Sequence, residues 1–186
     1  KSVGYAHGFK MKHQTDGLVV CVVGDGTTAE SDFHEGMNGA SVLKVPMLLE
    51  ITDNEVAISV KPEDGRGIKD FEAYARSFGF EFFSADGNDF LEMYEVTQVA
   101  AKYCIDNQRP AIFWVRNLSR LNGHSNAGDY NYTFDAHDCL NDFGEALVEE
   151  GILDAEDIVR RNAVETGKDY YVRHELGVIG KECDDH

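Results

Sequence analysis

LVVCVVGDG at residues 18–26 and VPMLLEITDN at residues 45–54 decide the fold of this chain. Each is a short run of aliphatic and β-branched residues that reads as a hydrophobic strand. The first run ends in Gly24-Asp25-Gly26 and the second just before Asp53-Asn54. Residues 29–44 have the length and pattern of a crossover helix. A strand, a helix and a second parallel strand form a right-handed unit that delivers both strand ends to one edge of the sheet. Open α/β sheets bind ligands at that edge. Asp25 and Asn54, distant in sequence, are therefore expected to meet there.

A carboxylate and a carboxamide oxygen, with a backbone carbonyl nearby, suit a magnesium-bound diphosphate. Magnesium takes hard oxygen ligands in near-octahedral array and keeps phosphate oxygens or water in the remaining positions. The glycines flanking Asp25 let backbone N–H groups approach a phosphate, and the helix that follows offers its positive end. A Gly-Asp-Gly turn is by itself an ordinary strand exit. The second polar turn at a fitting separation is what favours the ligand reading.

The stretch GDGTTAESDFHEGMNGASVLKVPMLLEITDNEVAIS, residues 24–59, resembles the thiamine diphosphate motif, which opens with GDG and closes with paired asparagines. More narrowly it is similar to the alpha subunit of the 2-oxo acid dehydrogenases, the decarboxylating first component of the pyruvate and branched-chain complexes. ESDFHEGMN resembles that family's EGDFHE segment, and Ala57-Ile58-Ser59 matches the end of its NNGYAIS. DGNDFLEMYEVTQVA at 86–100 resembles VDGNDVLAVYEATKEA, and RLNGHS at 120–125 resembles the loop RYHGHS. The matches run in order over roughly residues 2–135.

The resemblance implies a three-layer α/β sandwich with a mostly parallel sheet, the thiamine diphosphate-binding fold. It implies magnesium held by Asp25, Asn54 and the Val56 carbonyl, and thiamine diphosphate bound by Gly24, Gly26, Thr27, Thr28, Asn54 and His124. His124 would be the catalytic residue of this portion, stabilising negative charge beside the diphosphate during acyl transfer. The implied activity is oxidative decarboxylation of a 2-oxo acid, with acyl transfer to a lipoyl group. The implied partners are a beta subunit or beta portion, which supplies the glutamate that activates the cofactor, and a lipoyl-bearing acyltransferase. The location would be cytoplasmic in a bacterium and the mitochondrial matrix in a eukaryote. Ser125 occupies the position that kinases modify in animal members.

Departures from the family pattern keep other readings open. Asp53 replaces the first of two asparagines, Val56 an aromatic residue, Ser31 a glycine, and Glu55 a glycine or a polar residue. Thr52 stands where some members carry a basic residue. The alternatives are an acetoin-cleaving or transketolase-like relative, and a non-catalytic assembly module with a decayed cofactor site. The chain aligns from inside the family's domain, so it reads as a piece of a larger polypeptide that is inactive alone. By residue type alone His124 reads as a solvent-exposed loop residue, and the flanking RLNGHS match turns the reading toward function, while His34-Glu35 can serve helix capping or packing. A Ser125-His124 nucleophile pair is disfavoured, because no orienting acid is indicated.

Composition narrows the classes further. The 186 residues carry 34 acidic and 17 basic side chains, a net charge of −17. That argues against nucleic acid, whose phosphates require basic clusters. No apolar run approaches the ~20 residues of a membrane span. Cys21, Cys104, Cys139 and Cys183 are widely spaced and read as reduced, mostly buried thiols rather than a disulfide set. Beyond the first unit, residues 61–67 read as a polar loop, 68–79 as a helix and 80–85 as a strand. Residues 90–105 read as a helix, 111–115 as the last strand, 117–132 as a polar loop, and 140–153 and 156–166 as helices. Residues 1–135 are expected to form the diphosphate and magnesium domain, with 136–186 its helical extension.

Overall fold

Val19–Gly24 (β1) and Met47–Thr52 (β2) are adjacent parallel strands, in register from Val19 opposite Met47 to Gly24 opposite Thr52. Ser31–Leu43 (α2) is the crossover between them, and Ser2–Met11 (α1) precedes β1. After β2 come a single turn, Pro62–Gly65 (α3), then Phe71–Ser77 (α4), Glu81–Asp86 (β3), Phe90–Asn107 (α5) and Ala111–Arg116 (β4). The sheet is parallel throughout, in the order β1-β2-β4-β3. The computed structural model describes residues 1–58, 60–119 and 139–158. The chain divides into two compact units, Lys1–Asp138 and Cys139–His186. The second contributes a helix, Cys139–Glu149 (α6).

Strand alternation sorts the core into two layers. Met47, Leu49 and Ile51 of β2, with Ile112 and Trp114 of β4, face Ala6 of α1, Phe33, Met37 and Ala40 of α2, and Ala75 of α4. Leu48, Ala111, Phe113 and Val115 face the other way, onto Ala100 and Cys104 of α5. Helices thus cover both faces, giving the three layers expected. Covering both faces is why β2 and β4 read as continuous apolar runs. Full burial of a side chain such as Phe113 or Ile112 contributes about 1.5–3 kcal/mol. Strand β1 lies at an edge, and its second face is open: Val20 is 50% and Val22 59% exposed.

Helix boundaries follow from capping. Asp70 accepts from the Ala73 N–H at 2.9 Å, and Asp89 accepts from Leu91 and Glu92, both at 3.0 Å. Helix α2 ends at Lys44, whose φ of +52° is left-handed. The Lys10 ammonium donates to the carbonyls of Leu43 and Lys44 at 2.9 and 3.0 Å, a cation on the negative end of the helix. These contacts dock α1 onto α2.

The structure corrects several boundaries. Residues 61–67 are not all loop: Pro62 at the first helical position tolerates the missing N–H and starts one turn of helix. The helix expected from residue 68 begins at Phe71, because Asp70 is its cap. The helix expected over 140–153 ends at Glu149, with Gly151 at φ +68°. The strand expected over 80–85 from alternating residues spans Glu81–Asp86, and its burial does not alternate. Cys104 is buried, its thiol pushed up to about 12 by desolvation, whereas Cys21 and Cys139 are only half-buried. No helix among the described residues is long and apolar enough to cross a membrane.

Candidate functional site

Because β1 and β2 pair in parallel with Gly24 opposite Thr52, the residues that follow each strand leave the sheet at the same edge. Asp25 opens a short 3₁₀ turn, Asp25–Ala29, rather than the crossover helix itself. The helix begins at Ser31, so the backbone donors next to Asp25 belong to that turn. Asp25 is buried, at 7% exposure, and burial raises its carboxyl above the ordinary aspartate value. The Asp53 charge raises it further, while the Gly26 backbone and Arg66 oppose the shift. Thr28 is fully buried and its hydroxyl donates to the Asp25 carbonyl at 2.6 Å, locking the turn. Gly24 and Thr27 are exposed and Gly26 is half-buried. A Cβ on Gly26 would lie 2.6 Å from the Ala57 Cβ, so only glycine lets the two turns approach this closely.

The second turn is built by its own side chains. Asp53 accepts from the Glu55 N–H at 2.9 Å, and Asn54 from the Val56 N–H at 3.2 Å. These are two successive Asx turns. They lead the chain through Glu55 at φ +60°, a left-handed position that favours glycine. The Asp53 backbone is tied to β4 and the residues after it, donating to Val115 at 2.7 Å and accepting from Leu118 at 3.2 Å. The Thr52 hydroxyl donates to the Val23 carbonyl at 3.1 Å, linking the ends of β1 and β2. Asn54 is half-buried and Val56 is buried at 2% exposure.

Arg66, at the end of the α3 turn, completes the site and was missed from sequence. Its Nη1 lies 3.9 Å from Asp53 Oδ2, and its guanidinium sits over the Trp114 and Phe71 rings at 5.1 and 5.5 Å. The signal for it was Asp53 itself: a buried aspartate in place of an amide calls for a cation within reach. Asp25, Gly26, Ala57, Lys61 and Arg66 are among the residues lining a recess of about 170 Å³. No three His, Cys, Asp or Glu side chains gather among the described residues. A divalent cation here would draw instead on one carboxylate, one amide oxygen, a backbone carbonyl and the oxygens of its ligand.

His34 belongs to packing. Its Nδ1 shares a hydrogen bond with the Tyr74 hydroxyl, and its ring meets Phe33 and Tyr74 edge-on. His124 and Ser125 lie outside the described residues, as does Ser59.

The comparisons with known proteins agree with this architecture. The family described as Dehydrogenase E1 component matches residues 2–168. The mitochondrial 2-oxoisovalerate dehydrogenase subunit alpha 2 of Arabidopsis thaliana is 34% identical over 128 residues, covering 69% of this chain and 26% of that protein. The pyruvate dehydrogenase E1 component subunit alpha of Rickettsia typhi is 30% identical over 131 residues, covering 70% of this chain and 40% of that protein. The chain therefore spans well under half the length of these relatives. Among solved structures, transketolase from Campylobacter jejuni superposes with a TM-score of 0.53 at 23% identity, over 61% of this chain and 18% of that one, a likeness of fold. A family match from residue 2 to residue 168 joins a parallel sheet that carries its two polar turns at one edge, and the chain belongs to the dehydrogenase E1 component family.

Proposed function

We propose that this chain is the magnesium and diphosphate-binding part of a thiamine diphosphate-dependent 2-oxo acid dehydrogenase. The observation that carries the reading is the parallel pairing of β1 with β2, from whose ends Asp25 and Asn54 follow at one sheet edge. The donor set suits the group. Asp25 is a buried carboxylate that burial and Asp53 make costly to ionise, and a hard cation would relieve both effects. Gly26 supplies a close-approach turn with no Cβ, and a recess with two cationic residues adjoins it.

In this reading Asp25, Asn54 and the Val56 carbonyl hold the metal, while Gly24, Gly26, Thr27 and Thr28 form the turn beside the diphosphate. Thr28 acts through the backbone, its hydroxyl fastening the Asp25 carbonyl. Ala57 and Val60 are apolar residues of the recess wall. Thiamine diphosphate supplies the nucleophilic carbon and the electron sink for decarboxylation. His124 stabilises developing charge during transfer to a lipoyl group, and a beta partner supplies the activating glutamate. The chain by itself does not turn over a 2-oxo acid.

Calorimetric titration of the assembled enzyme with thiamine diphosphate and magnesium tests the reading. Wild type should bind only with magnesium, and Asp25→Ala should lose that binding. A well-folded wild-type enzyme that fails to bind at millimolar cofactor would make this chain an assembly module instead.

A further inference from the structure

Arg66 is held more firmly than its surface position requires. Its guanidinium lies over Trp114 at 5.1 Å and Phe71 at 5.5 Å, a slot between α4 and β4 that restricts its rotamers. Asp53 approaches to 3.9 Å, inside ion-pair range but too far for a hydrogen bond. Nη1 is buried and finds no hydrogen-bond acceptor among the described residues. A buried N–H left unpaired is a cost to the fold that a small shift of the guanidinium toward an acceptor would relieve. The same side chain lines the recess of about 170 Å³, together with Gly26, Lys61 and Asp25.

We infer that Arg66, assisted by Lys61, is the phosphoryl-binding residue of this recess, and that the Asp53 charge beside its guanidinium leaves it unsatisfied and competes with an anion for it. The planar fork of arginine matches phosphate oxygens, and a side chain immobilised in advance loses less freedom on binding. Lys61 is exposed on the same wall and contributes a point charge. The Asp25 carboxylate repels an anion until a cation neutralises it, so the seat fills with magnesium present. This magnesium dependence rests on the proposed function; the assignment of the Arg66 donor rests on its geometry. Free pyrophosphate and a diphosphate-bearing cofactor share the chemistry recognised.

The test is titration of the assembled enzyme with pyrophosphate, thiamine diphosphate or unphosphorylated thiamine, at fixed magnesium. Trp114, the one tryptophan of the chain, reports guanidinium movement by its fluorescence. Saturable changes are expected with both phosphorylated ligands and none with thiamine. R66M should weaken pyrophosphate binding about tenfold or more, and K61M about threefold. R66M leaves Asp53 without its cation, so D53N/R66M provides a neutral pair and should bind as weakly. D53N alone keeps Arg66 and should bind more tightly than wild type. Binding by D53N/R66M within about twofold of wild type overturns the assignment. If D25N still abolishes binding in that case, the metal reading stands without Arg66. No magnesium-dependent binding by wild type removes both. Saturation by pyrophosphate but not by thiamine diphosphate supports the Arg66 seat and assigns it to the free anion, against the cofactor reading.

Discussion

At Asp25 the physics of one residue sets a measurable pH dependence. Burial first, and the Asp53 charge second, raise its carboxyl above the usual aspartate value. Between the ordinary value near pH 4 and the raised one, the native state holds a proton that the unfolded state has released. Stability should therefore fall as pH rises through that window, and Asp25→Asn should flatten the slope and be the more stable form at neutral pH in EDTA. Urea midpoints between about pH 4 and pH 7 measure this, and parallel curves for the two proteins would count against it. The residue type was legible in the sequence, but the shift was not, because it depends on what buries the side chain. Glu55 is the converse case. Its departure from glycine was visible in the sequence, while the left-handed φ of +60° that makes the departure costly emerged only from the folded turn. Holding a non-glycine residue there costs about 1–2 kcal/mol.

Between elements, the decisive contact is the approach of the Asp25–Ala29 turn to the segment after β2. The Gly26 position has room for a hydrogen and no more, since a Cβ there would meet the Ala57 Cβ at 2.6 Å. Gly26→Ala should cost about 1–3 kcal/mol, as overpacking does. Gly26→Ala with Ala57→Gly should recover much of that loss, because the two changes share one contact. Thermal unfolding of the single and double variants checks the coupling, and additive losses would show that the turns do not press on each other. Gly-Asp-Gly announced a turn at this position. What pressed against it depended on residues 57–66, whose glycines, proline and charges read as loop and carry no periodicity to place them. Pro62, read as a loop residue, instead starts the α3 turn with its fixed φ, and Arg66 follows from α3 into the slot between Trp114 and Phe71.

For the whole chain, the net charge of −17 is a self-repulsion that the compact state must carry. Stability should rise with sodium chloride up to about 0.5 M as screening shortens the Debye length, and the thermal midpoint measures it. A midpoint that falls with salt would show that attractive pairs such as Arg76 with Glu72 and Glu81 outweigh the repulsion. A net charge of this size bears on solubility and association rather than on the fold.

Hydrophobic period and strand-end turns, both local properties, determined the α/β class, the parallel β1-α2-β2 unit and the edge at which its polar turns emerge. Buried parallel strands are continuous apolar runs whatever lies beside them, and right-handed crossover leaves a single placement for their ends. The order β1-β2-β4-β3, the open second face of β1, the raised carboxyl of Asp25 and the pairing of Asp53 with Arg66 were decided by the tertiary structure. Each depends on groups distant in the chain meeting at short range, where desolvation and Coulomb energies become large.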